Sequence, residues 1–75
     1  MPEKNYSLDK ETKRQIGAAL WQIRYKKHLY LKNITTQTGI PCRIIEGMEL
    51  GKFIQYGALR RLAEFYGVQI KITFE

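Results

Sequence analysis

Few side chains in this sequence could perform catalysis. The chain has one histidine, His28, and one cysteine, Cys42, and its carboxylates are scattered. An enzyme of the common hydrolytic or transfer kind needs a nucleophile with a base beside it, and no such pair is evident. A structural zinc ion takes four Cys and His ligands, so one of each cannot build that site in a monomer. We therefore expect no enzyme, no catalytic residues, no metal and no cofactor.

The basic side chains offer a different chemistry, the binding of a polyanion. The net charge is +6, and residues 1–39 carry eight basic side chains against three acidic ones. Such an excess attracts phosphates by long-range electrostatics. Charge also keeps a small domain soluble, so the basic balance alone does not identify a partner.

The elements that would position these side chains are predicted to be four helices. Helix 1 runs from Lys10 to about Lys27, with Ser7 or Asp9 as its N-cap. The remaining helices span about 31–37, 41–50 and 56–66, and glycines follow each of them. Inward positions are expected at Ile16, Leu20, Ile23, Leu31, Ile34, Ile44, Ile45, Met48, Leu59, Leu62, Ala63 and Tyr66. On a neighbouring face of helix 1, the margin of the core is expected to hold Trp21 and Tyr25, and the alternative is that these rings stack on a ligand.

The end of the chain changes its periodicity. From Gly67, apolar and polar residues alternate, with Val68, Ile70, Ile72 and Phe74 on one side. This pattern predicts a half-buried strand, and a lone strand needs a pairing partner. The simplest partner is the same strand of a second copy, across a twofold axis. A final short helix or a frayed tail is the alternative.

The length and composition allow one small domain in a reducing compartment. Its parts are predicted as a flexible arm (1–8), a helical domain (9–67) and a dimerisation strand (68–75). A single cysteine cannot form an internal disulfide, which fits the cytoplasm. The sequence has no apolar run of about 20 residues and no signal peptide, so we expect no membrane association.

The centre of the chain resembles the phage-repressor (Cro/Xre-type) helix-turn-helix family. Residues 38–52 read TGIPCRIIEGMELGK, and they match the family pattern at Gly39, Ile40, Ile45, Met48, Glu49 and Gly51. The segments IGAALWQIRYKKHL and ALRRLAEFYGV are similar to the family's first and fourth helices. The resemblance covers about residues 15–68. It implies a mainly α, lambda-repressor-like bundle of four helices, to which the predicted C-terminal strand is added.

The resemblance also implies roles for individual residues. In this family an arginine of helix 1 meets the glutamate of a Glu-x-Gly motif at the end of the recognition helix, which predicts an ion pair between Arg24 and Glu49. The recognition helix, about 41–50, would lie in the major groove of DNA. Base contacts are then expected from Cys42, Arg43, Glu46 and Gly47. Phosphate contacts are expected from Lys32, Lys52, Gln55, Tyr56 and Gly57.

We therefore expect a sequence-specific regulator that binds double-stranded DNA as a homodimer, most simply a repressor. The chain departs from the family at Tyr30, Leu31, Thr35, Pro41, Cys42 and Gly47, where it usually has small or polar residues. The weak polar complement of Cys42 and Gly47 favours an alternative, a protein-interaction module with weak affinity for DNA. Dimerisation through a C-terminal strand is similar to antitoxin members of the family, so the alternative includes a protein partner such as a toxin.

Overall fold

The computed structural model describes residues 9–69 of the chain. This part holds four α-helices, α1 (Lys10–Lys26), α2 (Leu31–Thr38), α3 (Cys42–Glu49) and α4 (Tyr56–Tyr66). The predicted mainly α-helical class is confirmed, and each helix end lies within one residue of its predicted position. None of the helices in this range has the length and apolar character needed to cross a membrane.

The ends of the helices follow from local sequence. Asp9 is the N-cap of α1, and its carboxylate accepts a hydrogen bond of 2.8 Å from the Thr12 N–H. This bond lowers the pKa of Asp9 below its usual value. Gly39 and Gly67 end α2 and α4 with left-handed φ angles of 81° and 73°. Pro41 is the N-cap of α3 rather than its first residue, because its ψ of 145° is extended.

The core forms where the apolar faces of the four helices and the α2–α3 turn meet. Its buried members are Leu20, Ile34, Ile40, Ile45, Met48, Ala58, Leu59, Leu62 and Tyr66. Ile16, Ile23, Leu31 and Ile44 are half-buried at its edge. The buried face of α4 therefore includes Ala58, whereas Ala63, predicted as buried, is only half-buried.

Helix α1 packs tightly on α3 through a glycine. A Cβ atom at Gly17 would lie 2.6 Å from the carbonyl oxygen of Glu49 and would also overlap that of Met48. Only glycine allows the two backbones to come this close. The contact places α1 across the C-terminal end of α3.

Two aromatic side chains of α1 lie outside the core. Trp21 and Tyr25 are 46% and 66% exposed, so their predicted position at the core margin is wrong. Gly17 and Leu20 define the buried face of α1, and each helical residue turns by 100° from its neighbour. Trp21 lies only one turn after Gly17, so rotation along the helix does not by itself explain its exposure. The neighbouring helices leave this side of α1 uncovered.

No strand occurs between residues 9 and 69. Val68 and Gln69 follow α4 without regular secondary structure. The other predicted strand positions, Ile70, Ile72 and Phe74, lie outside the described residues, as does the predicted arm of residues 1–8. The β part of the predicted fold therefore has no support within the described chain.

Candidate nucleic-acid interface

Helix α3 is a surface helix with one apolar and one polar face. Ile45 and Met48 are completely buried. Cys42, Arg43 and Glu46 are exposed on the other side of the helix. Three of the four residues predicted to contact bases therefore have exposed side chains on one strip of this short helix.

The turn before α3 fixes how this strip begins. The Thr38 hydroxyl donates to the Ile34 carbonyl at 2.7 Å and accepts from the Ile40 N–H at 3.1 Å. Ile40 is buried, which anchors the turn to the core. The Thr35 hydroxyl lies 3.1 Å from the Cys42 sulfur, within hydrogen-bonding distance. These contacts join the end of α2 to the start of α3.

The predicted ion pair between Arg24 and Glu49 is present and bidentate. The guanidinium donates to the two carboxylate oxygens at 2.7 and 2.9 Å, and to the Leu29 carbonyl at 3.2 Å. The hydrogen bonds to Glu49 raise the pKa of Arg24 above its usual value, so it keeps its charge. The pair ties α1 and the α1–α2 loop to the C-terminal end of α3.

Tyr66 lies near this pair without bonding to it. Its side chain is buried, and its hydroxyl has no hydrogen-bond partner among the described residues. Burial, reinforced by the negative charge of Glu49, raises the pKa of Tyr66 to about 12. The phenol is therefore neutral, and its ring packs with the apolar side chains of the core.

Gly47 does not belong to the exposed strip. It is buried beneath the ring of Phe53, where a Cβ would lie 2.5 Å from Cε2. Its small size accommodates an aromatic ring of the same chain, which explains the glycine without a DNA contact. The base contact expected at Gly47 is disfavoured by this packing. The packing depends on a residue six positions later, so it could not be predicted from the local pattern.

The start of α4 forms a second accessible region. Gln55, Tyr56 and Gly57 are exposed, and no side chain caps this helix. Gln55 and Gly57 share a shallow pocket with Gly39, Ile40, Pro41, Ala58 and Arg61. The pocket brings the start of α4 next to the turn that precedes α3.

Arg61 is a basic residue that the sequence reasoning missed. It is exposed and lines the pocket at the start of α4. Its position four residues after Gly57 places both on one face of α4, and this spacing could have identified it. Its neighbour Arg60 is also exposed but does not line the pocket.

Lys32 and Lys52, the predicted phosphate-binding lysines, are both exposed. Lys52 is held by its backbone, since its N–H donates to the Gly47 carbonyl at 3.0 Å. Neither ammonium group forms an ion pair with a carboxylate of residues 9–69. Both charges are therefore available to an anionic partner.

Comparisons of this chain with models of protein families, with curated proteins and with solved structures found no match.

Proposed function

We propose that this chain is a sequence-specific DNA-binding transcriptional regulator, acting as a repressor, with a lambda-repressor-like helix-turn-helix fold. The observation that carries the proposal is the exposed strip of Cys42, Arg43 and Glu46 on α3. The opposite face of this helix is buried, and the Arg24–Glu49 pair holds its end. A short helix presented in this way has the size and polarity to enter a major groove.

The side chains of the strip differ in what they offer to bases. Arg43 can donate two hydrogen bonds to O6 and N7 of guanine, worth about 1–3 kcal/mol of discrimination. Glu46 can accept a hydrogen bond from the amino group of cytosine. Cys42 is small, and its sulfur can contact the methyl group of thymine.

The surrounding surface supplies groups for phosphates. Lys32 and Lys52 offer ammonium groups, and the start of α4 offers the exposed segment Gln55, Tyr56 and Gly57. Arg61 adds a guanidinium beside the same segment. Phosphate contacts of this kind set the register of a protein on DNA without reading its sequence.

We propose further that the regulator is a homodimer. Two copies would read half-sites one helical turn apart, roughly 34 Å. A mostly apolar groove between α1 and the residues that follow α4 is lined by Gln15, Ile16, Ala19, Leu20, Ile23, Val68 and Gln69. It lies where the chain enters the alternating segment, and strand pairing of that segment between two copies would cover it.

The direct test is selection from a random pool of DNA duplexes, followed by a salt titration of the selected site. We expect a recurrent sequence with twofold symmetry. The logarithm of the binding constant should fall linearly with the logarithm of salt concentration, with a slope that counts the neutralised phosphates. No recurrent sequence and no steep salt dependence would refute the proposal.

Two pairs of variants test the assigned roles. Arg43→Ala should relax sequence preference, whereas Lys52→Ala should weaken all sequences alike and reduce the salt slope by about one. Arg61→Ala should also weaken binding to all sequences alike and reduce the salt slope. Arg60→Ala removes the same charge from the adjacent position outside the pocket, so it is the matched control and should have a smaller effect.

A protein-interaction module on the same fold is the second candidate function. The composition of the strip favours it, because only Arg43 and Glu46 offer strongly polar side chains to bases. A partner such as a toxin would then replace DNA as the main ligand. The same salt titration separates the two functions, since a module of this kind would show neither a selected duplex nor a phosphate-dependent slope.

A further inference from the structure

An aromatic surface at the end of α1 stands apart from the α3 strip. Trp21, Tyr25 and Tyr30 are 46%, 66% and 76% exposed, which makes them three of the six large exposed hydrophobic residues between positions 9 and 69. Together with Arg24, His28 and Leu29, they line one concave region, which we call the aromatic patch. Exposed Trp and Tyr side chains in a concavity are typical of protein-binding sites.

The aromatic patch is held by contacts within the chain. The rings of Trp21 and Tyr25 stack with centroids 5.0 Å apart and an interplanar angle of 15°. Arg24 lies between Trp21 and Tyr25 in the sequence of α1, and its side chain is held by hydrogen bonds to Glu49 and to the Leu29 carbonyl. A preformed surface loses little side-chain entropy when a partner binds.

The backbone at the rim of the patch adopts a costly conformation. His28 has a φ of 56°, the left-handed region, at the position after a helix end where glycine is usual. Its N–H donates to the Tyr25 carbonyl, and the next N–H, from Leu29, donates to the Arg24 carbonyl, both at 3.1 Å. The chain therefore keeps an exposed imidazole at the rim where a glycine would be more stable.

The charges around the patch point to the chemistry of its partner. Among residues 9–69 no carboxylate lines it, and the exposed Lys26 and Lys27 lie on the adjacent turn. We propose that the aromatic patch binds an acidic protein segment, with an aromatic or aliphatic anchor against Tyr25 and Tyr30 and with carboxylates facing the lysines. This surface shares no residue with the proposed DNA contacts.

A single-stranded nucleic acid fits the patch less well. Base stacking needs open ring faces, yet Trp21 and Tyr25 each use one face on the other. The only guanidinium of the patch is committed to Glu49. These two features favour a peptide partner.

The test is selection of displayed random peptides on the full chain, followed by binding measurements with the enriched peptides. Trp21 is the only tryptophan, so its emission reports binding directly. We expect enriched sequences to combine Asp or Glu with an aromatic or aliphatic residue. Their binding should shift the emission to shorter wavelength and protect Trp21 from a soluble quencher.

Matched variants connect this binding to the patch. Tyr25→Ala and Tyr30→Ala should each weaken the peptide about tenfold or more while leaving the helical circular dichroism and DNA binding unchanged. Tyr56→Ala removes an exposed tyrosine outside the patch, at a position proposed to contact phosphate. This variant should weaken DNA binding and leave the affinity for the peptide unchanged. His28→Gly should raise the thermal midpoint and still weaken the peptide, a combination that a purely structural role would not give.

The proposal is overturned if no peptide is enriched, if the enriched peptides lack acidic residues, or if Tyr25→Ala and Tyr30→Ala bind them as well as the wild type. It is also overturned if a thymidine oligonucleotide competes for the patch with steep salt dependence. If the wild-type chain binds the enriched peptides but binds no DNA duplex, the DNA proposal is refuted and the peptide proposal stands.

Discussion

Arg24 and Glu49 are the charged residues on which the position of α3 depends most directly. The side chain of Glu49 is 4% exposed and that of Arg24 is 19% exposed. Removing one partner would leave the other charge poorly solvated. We therefore expect Glu49→Ala to lower the free energy of unfolding by about 3 kcal/mol or more, measured by urea denaturation.

The double variant Arg24→Leu with Glu49→Leu is the control for this prediction. It removes both charges and replaces them with apolar side chains, so it should be more stable than Glu49→Ala alone. If the single and double variants are equally destabilised, loss of packing rather than the unpaired charge explains the effect.

Tyr66 gives a prediction about pH. Its pKa is raised to about 12 in the folded chain, so folding favours the neutral phenol. The stability that depends on this phenol is complete below the unfolded pKa of about 10 and is lost as pH rises through the folded value. The free energy of unfolding of the wild type should therefore fall relative to that of Tyr66→Phe between these two pH values.

The same variant tests the unpaired hydroxyl at neutral pH. Because the buried Tyr66 hydroxyl has no hydrogen-bond partner among residues 9–69, its removal should be neutral or stabilising by up to about 1 kcal/mol. Comparing the two chains at each pH cancels the titration of every other group. A clear loss of stability in Tyr66→Phe at neutral pH would mean that the hydroxyl has a partner.

At the scale of the elements, the contact between α1 and α3 depends on Gly17. A Cβ there would meet backbone carbonyls, which cannot move unless α3 shifts. Gly17→Ala should therefore cost about 2–4 kcal/mol despite the better helix propensity of alanine. Thermal and urea denaturation measure this cost.

Gly57→Ala is the matched control for the α1–α3 contact. A Cβ at Gly57 meets nothing within 4 Å, so this variant should keep or slightly raise the stability through helix propensity. Equal losses in the two variants would contradict the packing explanation and point to a general intolerance of alanine.

The helices could be predicted because their signals are local. Gly39, Pro41, Gly51 and Gly67 stop or start helices through their own backbone preferences, and the apolar spacing identified most of the core. The exposure of Trp21 could not be predicted in this way. Helix α1 has apolar residues on more than one face, and only the position of α3 decides which face is buried.

Part of the candidate site could be predicted from the sequence for the same reason. The exposed side of α3 follows from the spacing of Ile45 and Met48, which predicts Arg43 and Glu46 on the other side. The burial of Gly47 and the position of Arg61 depend on contacts with other elements. Local periodicity holds no information about Phe53 or about the pocket beside the α2–α3 turn.

At the scale of the whole molecule, the proposed dimer makes a prediction about mass. The full chain should have the mass of a dimer in solution, and a chain ending at Gln69 should have that of a monomer, by light scattering. Ending at Gln69 keeps Val68, which packs against the core and donates to the Ala63 carbonyl at 3.0 Å. The shortened chain should therefore stay folded.

The two remaining outcomes of the mass measurement are both informative. Monomers in both cases would exclude pairing of the C-terminal segments. Dimers in both cases would place the interface within residues 1–69. In the expected case, the shortened chain should also lose most of its affinity for a symmetric DNA site, since two linked half-sites bind far more tightly than one.

The ring of Phe53 lying over Gly47 has a consequence for how this sequence can diverge. A larger side chain at position 47 would displace the Phe53 ring, which is 38% exposed and can turn toward solvent, so the cost of the change depends on this ring rather than on the backbone. A library that randomises both should return reciprocal combinations, with a small residue opposite a large one. Substitutions at positions 47 and 53 should therefore affect the free energy of unfolding non-additively.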